Sequence, residues 1–493
     1  MTELGFPGWL RGSHLANLLL ISLLVRSGIQ ILAAHPKLYW NDSCRPGTEW
    51  LRLTRKRMPE DRLWTSMDEE EPYSAWVALP GGHRLGLGRH WHFASVLAWL
   101  ATGLVYIVLL LGLGEWRRLV PTSPVVFLDA WRTLLIYLHL QVPPPGHPYN
   151  ALQQLAYFAV VFLLTPLTIA TGAAMSPALQ GRLPWLERPF LGRQGARSLH
   201  FLCLAGFVSF TAVHTLMVIV HGAGEELGKM WLGSEHADPR LAIAAGLGSL
   251  AAVVVLNWVA TVQSQRHPRQ VQQWLGKLLH RPQEQASKLF SPRQSHVRKD
   301  SFFRVNGYPP ADEQYRAMAR RQFSSWQLEV GGRVERPLSL TLDDLRKLPA
   351  RAQTTKHSCI QGWTAIGEWR GVPLSALLDV CRPAASARHI AFFGMDDKDQ
   401  TAAEGEHGHG HFYETISIEQ ARQEQTILAY EMNGAPLTVE HGAPLRLRVE
   451  GQLGFKMVKW IARIELIDDY RHLGQGQGGW REDNMFYSPA VAI

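Results

Sequence analysis

Five stretches of the chain are apolar for long enough to cross a hydrocarbon core, which takes about 20 helical residues: roughly 15–34, 92–113, 152–173, 199–221 and 241–262. A sixth run, Val125 to Leu140, is shorter and contains Asp129 and Arg132, so an interfacial or loop helix is expected there. If it spanned instead, every later orientation would flip. After residue 300 the pattern changes. LEVGGRV and PLRLRVEG alternate apolar and polar positions as half-buried strands do, and KMVKWIARIELID continues that period. Short helical pieces interrupt the strands, among them LTLDDLRKL, where Thr341 or Asp343 can cap the helix, and IEQARQEQT. The pattern predicts a multi-domain chain: an N-terminal all-α transmembrane helix bundle over 1–262, a basic linker over 263–300, and an α+β, β-rich domain over 301–493.

The linker carries eight basic and two acidic residues and reads as lying on a membrane surface. The formal charge of +8 concentrates in such membrane-flanking segments, where anionic headgroups account for it and nucleic acid is set aside as a partner. The first span follows one basic residue, contains Arg26 and lacks a small-residue cleavage site, so it is read as retained rather than removed. No twin-arginine leader is read either, since Arg117 and Arg118 stand too late in the chain. Cys44, Cys203, Cys359 and Cys381 are scattered without C-x-x-C spacing, which leaves single-thiol chemistry.

Histidines at 14, 90, 92, 200 and 214 fall inside or beside the apolar runs, where ligating side chains are costly and mark function. His200 and His214 are fourteen residues apart on one helix, which places them about 21 Å apart and within about 40° of one face. Because successive spans alternate in direction, His92 can meet His200 on one side of the membrane and His14 can meet His214 on the other. Two bis-imidazole sites at two depths suit two b-type haems. His90 competes with His92, and His221 competes with His214, lying seven residues on and about 20° around the helix.

RHWHFASVLAWLATGLVYIVLL, YNALQQLAYFAVVFLLTPLTIATGAAMSP and GRQGARSLHF, over about 10–222, resemble the membrane cytochrome b family of formate dehydrogenase gamma and thiosulfate reductase subunits. The resemblance implies two b haems ligated by His14, His92, His200 and His214, and electron exchange with membrane quinone.

In the second half, KHSCIQGWTAIGEWRGVPLSALLD sets Cys359 after a strand-like stretch, with Gly362, Gly367 and Gly371 allowing close approach to a bulky group. Together with LAYEMNGAPLTVEHGAPLRLRVEGQLGFKMVKWIARIEL, this segment resembles the molybdopterin domain of the sulfite oxidase superfamily, over roughly 302–470. The resemblance implies that Cys359 binds molybdenum as its thiolate and that His441, Arg446 and Lys459 contact the pterin, with Lys456 an alternative to Lys459. Arginine and lysine suit a phosphate, and glycines around 451–454 would admit the cofactor closely. CIQGW followed by EWRGVPL is more similar to the bacterial methionine-sulfoxide-reductase catalytic subunit than to sulfite oxidase, so Trp363 is expected to shape the substrate pocket. EHGHGHF places His407, His409 and His411 at alternate positions and is read as a polar loop.

The expected protein is a quinone-linked molybdenum oxidoreductase of a bacterial cell membrane, passing electrons through two haems to a small S-oxide or N-oxide. A quinone-reducing dehydrogenase for sulfite or a similar donor, and a non-catalytic redox sensor, are the alternatives. Lys and Arg are denser in 36–89, 174–198 and the linker than in the opposite loops, which predicts a cytoplasmic molybdenum domain. The cytochrome family pattern implies the opposite face.

Overall fold

The computed structural model describes residues 5–144, 149–183, 185–289, 300 and 302–488. The chain divides into two compact units: Met1–Ser27, Trp91–Gly172 and Leu199–Gln263 form the first, while Gly28–His90, Ala173–Ser198 and Ser264–Ile493 form the second.

Among the described residues, five helices are long and apolar enough to cross a membrane: α1 Gly8–Ala33, α2 Leu85–Gly112, α4 Ala151–Ala174, α5 Arg193–Val220 and α6 Pro239–Arg266. The protein is a multi-pass membrane protein. Between the second and third spans lies α3, Val125–Leu138, whose 14 residues cover about 21 Å, less than a hydrocarbon core. Large apolar side chains point outward all along the spans, Leu104, Val213 and Trp258 among them, as lipid-facing positions do. The spans begin earlier than the hydropathy runs because polar first turns, such as Arg193-Gln194, extend helices beyond their apolar cores. In α4 the backbone widens to a π-helical turn over Ala159–Leu164, immediately before Pro166. Proline has no N–H to give the preceding turn, and the widened turn accommodates that loss. The one charge deep in α1, Arg26, donates to Asn257 Oδ1 at 2.9 Å and Thr261 Oγ1 at 2.8 Å, so the guanidinium is satisfied by polar groups of α6 rather than by lipid.

Among the described residues the second unit holds a small two-stranded sheet, Lys37–Leu38 against Leu51–Arg52, and two five-stranded sheets. The strands of the two larger sheets are β1 Gln327–Gly332, β2 Leu338–Thr341, β3 Arg351–Ser358, β4 Thr364–Pro373, β5 His389–Asp397, β6 His411–Ser417, β7 Ile427–Met432, β8 Ala435–Pro436, β9 Arg446–Arg448 and β10 Ile461–Ile467. One of these runs β8-β7-β4-β3 with β9 also on β7, and the other runs β2-β1-β10-β5-β6, in which β1 and β10 are parallel. Thr341 caps its helix in a reciprocal box with Asp344. The period across KMVKWIARIELID is broken: Gly454–Lys456 is a 3₁₀ turn and the strand starts only at Ile461. Trp460 there has φ +53, outside the extended region a strand needs.

The segment expected as a linker is mostly helix, α7 Pro268–Leu289, with residues 290–299 outside the described ones. Val271, Trp274, Leu275, Leu278 and Leu279 recur at helical spacing, and Leu275 and Leu279 are buried. Arg269 donates to Glu482 O at 2.9 Å, and Gln272 donates to Tyr487 O at 2.7 Å, which ties this helix to the C-terminal segment. The unit's apolar core also takes in Ala34, Tyr39, Cys44 and Leu85 from the first ninety residues.

Candidate functional site

Within the membrane unit the histidines come together in two pairs. The ring centres of His92 and His200 are 6.4 Å apart, and those of His14 and His214 are 6.2 Å apart. Two imidazoles on opposite sides of one metal, with nitrogen–metal bonds of about 2 Å and each nitrogen about 1 Å from its ring centre, stand about 6 Å apart. The residues present therefore fit an iron held between each pair.

The hydrogen bonds around the first pair also suit Nε2 as the nitrogen left for a metal. Ser27 Oγ gives its proton to Leu23 O at 2.7 Å and lies 3.1 Å from His92 Nδ1; Thr171 Oγ1 gives its proton to Leu167 O at 2.8 Å and lies 3.1 Å from His200 Nδ1. Each hydroxyl has one hydrogen, so each Nδ1 carries a proton and donates it, leaving Nε2 in the unprotonated form a metal requires. At the other level, Phe210 stacks on His214 at 5.6 Å, Trp231 meets the edge of His14, and His14 Nδ1 is buried without a partner among the described residues. His90 belongs to the second unit and its Nδ1 bonds Gly86 O at 2.8 Å, while His221 bonds Tyr137.

In the second unit, Cys359 follows the end of β3 and is almost fully buried. Its thiol lies 3.6 Å from Gln361 Oε1 and 3.9 Å from Asn306 Nδ2, and Gln361 is itself held by Ser66 Oγ at 2.8 Å. Burial pushes the thiol up to about 11, opposed by the Gln361 backbone and by the charges of Arg481, Arg193 and Arg304. Those cations are what a metal-bound thiolate would use. Arg193 is spent on the carbonyls of Met175, Gly362 and Trp363, and Arg304 gives its two Nη groups to Glu69 and Cys44 O while its buried Nε has no partner among the described residues. Arg481 pairs with Glu406 through Nη2, while its buried Nη1 has no partner among the described residues. Trp363 is fully buried, donates to Gln361 Oε1 at 3.2 Å and tilts against His357 at 5.3 Å.

A chain of rings leads from there to a basic cradle: Phe303 lies 5.5 Å from His357, 5.2 Å from Trp369 and 5.7 Å from His441. Over Trp369 sit the guanidinium groups of Arg446 and Arg448, at 4.7 and 4.6 Å. Arg448 is neutralised by Glu450 at 2.8 Å. Arg446 donates to His441 O, and its buried Nε has no partner among the described residues. Lys459 donates to Glu440 O at 2.9 Å and is held well below the ordinary lysine value by burial and by Arg446. Gly442, at φ +105, is what lets these two approach, since a Cβ there would stand 2.9 Å from that of Lys459. An under-compensated cationic cradle with an orphaned N–H fits an anionic phosphate end of a cofactor. Among the pterin residues expected from the sequence, His441 has both ring nitrogens engaged, with Phe303 O at 3.1 Å and Thr438 Oγ1 at 2.8 Å, so only its ring face is left for a ligand. Lys456 is elsewhere: it neutralises buried Glu414 and Glu482.

The glycines expected to open room for a cofactor face protein. Added Cβ atoms at Gly362, Gly367 and Gly371 would meet Arg197, Trp369 and Leu428 respectively, and one at Gly454 would meet the His357 ring at 2.3 Å. A cleft of about 680 Å³, lined in part by Asp68, Tyr308, Tyr315, Arg316, Thr401 and Glu404, adjoins this region. Its Asp68 follows Met67, whose Sδ lies 3.9 Å from Arg481. Arg481, Arg193 and Asn306 escaped the sequence reading, since none stands at a motif spacing from Cys359, and Gln361, though inside CIQGW, was given no role there; burial of an arginine is visible only in the fold.

If the buried cation Lys459 serves a phosphate, its removal should separate stability from cofactor retention. Lys459→Met is expected to raise the melting temperature of cofactor-free protein by about 2–4 °C, the shift that about 1 kcal/mol gives in a domain of this size. Retained molybdopterin should fall about tenfold or more, the loss of a charge-assisted bond. The sign follows from the lowered folded value: the unfolded lysine holds more protons, so the penalty is present at neutral pH and fades as pH rises past about 10. Calorimetry of cofactor-free protein from pH 7 to 10.5 and pterin fluorescence after release check the two halves.

Comparisons with known proteins match two parts of the chain, the first of which also includes the 28–90 and 173–198 stretches of the second unit. Residues 5–233 match the prokaryotic cytochrome b561 family, and residues 315–473 match the oxidoreductase molybdopterin binding domain. The putative protein-methionine-sulfoxide reductase subunit YedZ1 of Azospira oryzae is 32% identical over 163 residues, 33% of this chain and 55% of that protein. The protein-methionine-sulfoxide reductase catalytic subunit MsrP of Xanthomonas axonopodis pv. citri is 34% identical over 149 residues, 30% of this chain and 46% of that protein. The chain spans about half the length of the curated relatives it matches. Among solved structures, the sulfane dehydrogenase SoxCD of Paracoccus pantotrophus is 27% identical over 30% of this chain and 39% of its own, with a TM-score of 0.25. One polypeptide thus matches two families, the prokaryotic cytochrome b561 family over residues 5–233 and the oxidoreductase molybdopterin binding domain over residues 315–473.

Proposed function

We propose that this protein is a quinol-dependent reductase of S-oxides, carrying two b haems in the membrane unit and a molybdenum–pterin centre in the second unit. The observation that carries the reading is the pair of imidazole couples, each with the ring separation of one shared iron, in a chain that also buries the Cys359 thiol among arginines. His92 with His200, and His14 with His214, would hold the haems. Cys359 would hold the metal, and Arg446 and Lys459 the phosphate end of the pterin. When bound, the molybdenum centre supplies two-electron oxygen-atom transfer.

The chain's own part is electrostatic and steric. Arg481 offers its uncommitted Nη1 to a substrate oxygen, where negative charge grows as the S–O bond breaks. Glu406 fixes that guanidinium, and Glu406 is held well ionised by Arg481 and Lys398 in spite of its burial. Trp363 and Phe303 exclude water from the thiol side. The names of the relatives favour a methionine S-oxide. The Lys and Arg bias of the loops supports a cytoplasmic position for the molybdenum domain in a bacterial cell membrane.

The test is anaerobic. Protein whose haems have been reduced by menadiol is mixed with methionine sulfoxide, and the b-type absorbance is followed. Reoxidation with formation of methionine is expected. Haem reduction by sulfite, with no response to S-oxides, would replace this reading by a dehydrogenase.

A further inference from the structure

One polar group in the membrane unit is used by neither histidine pair. Tyr137, in the last turn of α3, places its hydroxyl 2.9 Å from Nε2 of His221, the residue that follows α5. His221 Nδ1 lies 2.9 Å from Met217 O. A carbonyl only accepts, so Nδ1 carries the ring proton, Nε2 is an acceptor, and the phenol donates to it. Asn150 also reaches the Tyr137 side chain. Both residues of the dyad are half-buried, and the surface beside them is apolar: Leu138, Leu140, Leu216 and Ile219 all face outward.

Resting on the quinol-dependent reading above, we infer that Tyr137 and His221 form the head-group site for a lipid-borne quinol. The dyad offers one acceptor and one rotatable donor. Nε2 accepts from a hydroquinone hydroxyl, and the phenol, released from the histidine, donates to a quinone carbonyl, so either redox form of the ring finds its complement. The outward apolar side chains suit an isoprenoid tail arriving from the bilayer, and α3 is too short to seal the site by spanning. His214 is seven residues back on the same helix, about 10 Å along it and about 20° around, so the ring would stand one helical step from an iron at the His14–His214 pair. A mere clamp between α3 and α5 would have the same hydrogen bond and no affinity for quinols.

The experiment uses the full-length protein in detergent, with Tyr137→Phe and His221→Gln. A fluorescent hydroxyquinoline N-oxide serves as a quinol mimic whose quenching reports binding without turnover, and haem content is read by absorbance. Both variants are expected to keep full haem content while mimic affinity falls about tenfold, the loss of a buried hydrogen bond to a ligand, and the KM for menadiol rises in step. Loss of haem in His221→Gln would overturn the inference by making His221 an axial ligand. Unchanged mimic binding and menadiol KM in both variants would overturn it too, and would leave the reductase reading standing. Haem-loaded unsubstituted protein that neither binds the mimic nor accepts electrons from menadiol would overturn the quinol reading and this site together.

Discussion

In Cys359→Ser, molybdenum is expected to fall to background in metal analysis and S-oxide-dependent reoxidation of haem to fall more than about 100-fold, while haem content stays unchanged. The magnitude follows from comparison with lesser changes: second-shell partners of a metal site commonly cost about 10–100-fold in affinity or activity, and here the anchoring sulfur itself is lost. Serine keeps the volume but presents a hard, weakly acidic hydroxyl to a soft-ligand site. The surroundings sharpen the result. Arg481, Arg193 and Arg304 all act on the position of the sulfur, and without a thiolate their charge is left with one fewer anion to face. Haem content is the control, because Cys359 and the histidine pairs lie in different units. Molybdenum retained at normal stoichiometry would show that another group anchors the metal.

The second large effect is expected in His200→Ala: pyridine haemochrome content falls by about half, since one of two axial pairs is broken. The remaining haem should keep its spectrum, because His14 and His214 stand about 21 Å further along the helix. Thr171→Val is the gentler companion. It removes the oxygen that receives Nδ1–H of His200, and a shift in haem affinity of about 10–100-fold is expected without loss of the ring itself. Complete haem loss in His200→Ala would mean that the two levels fold as one cooperative site.

Much of the membrane unit could be read from the chain because hydropathy over about 20 residues is a one-dimensional signal, and because fourteen residues on a helix fix two depths. The imidazole pairs followed from that arithmetic, and the structure brings together the residues it named. Side-chain commitments could not be read. That Ser27 and Thr171 set the tautomers, or that His221 turns to Tyr137, depends on helix neighbours with no spacing rule between them. At 263–300 composition gave a basic linker lying on a membrane surface and was silent on its helix, although Val271, Trp274, Leu275, Leu278 and Leu279 already had the helical period. Around Cys359 a family motif located the sulfur, whereas Arg193 and Arg481, nearly three hundred residues apart, meet it only through the fold.

The second unit is built from three separated stretches of chain and draws its apolar core from two of them, with Tyr39, Cys44 and Leu85 packed in the same cluster as Trp369 and Leu447. A fragment starting near residue 301 would lack the buried carboxylate of Glu69 that faces Arg304, and the Asp42 carboxylate that faces Lys356 at the strand leading to Cys359. Closure of this half therefore draws on residues made before the second span, and a fragment cut near residue 301 is expected to be less stable than the same half within the full chain.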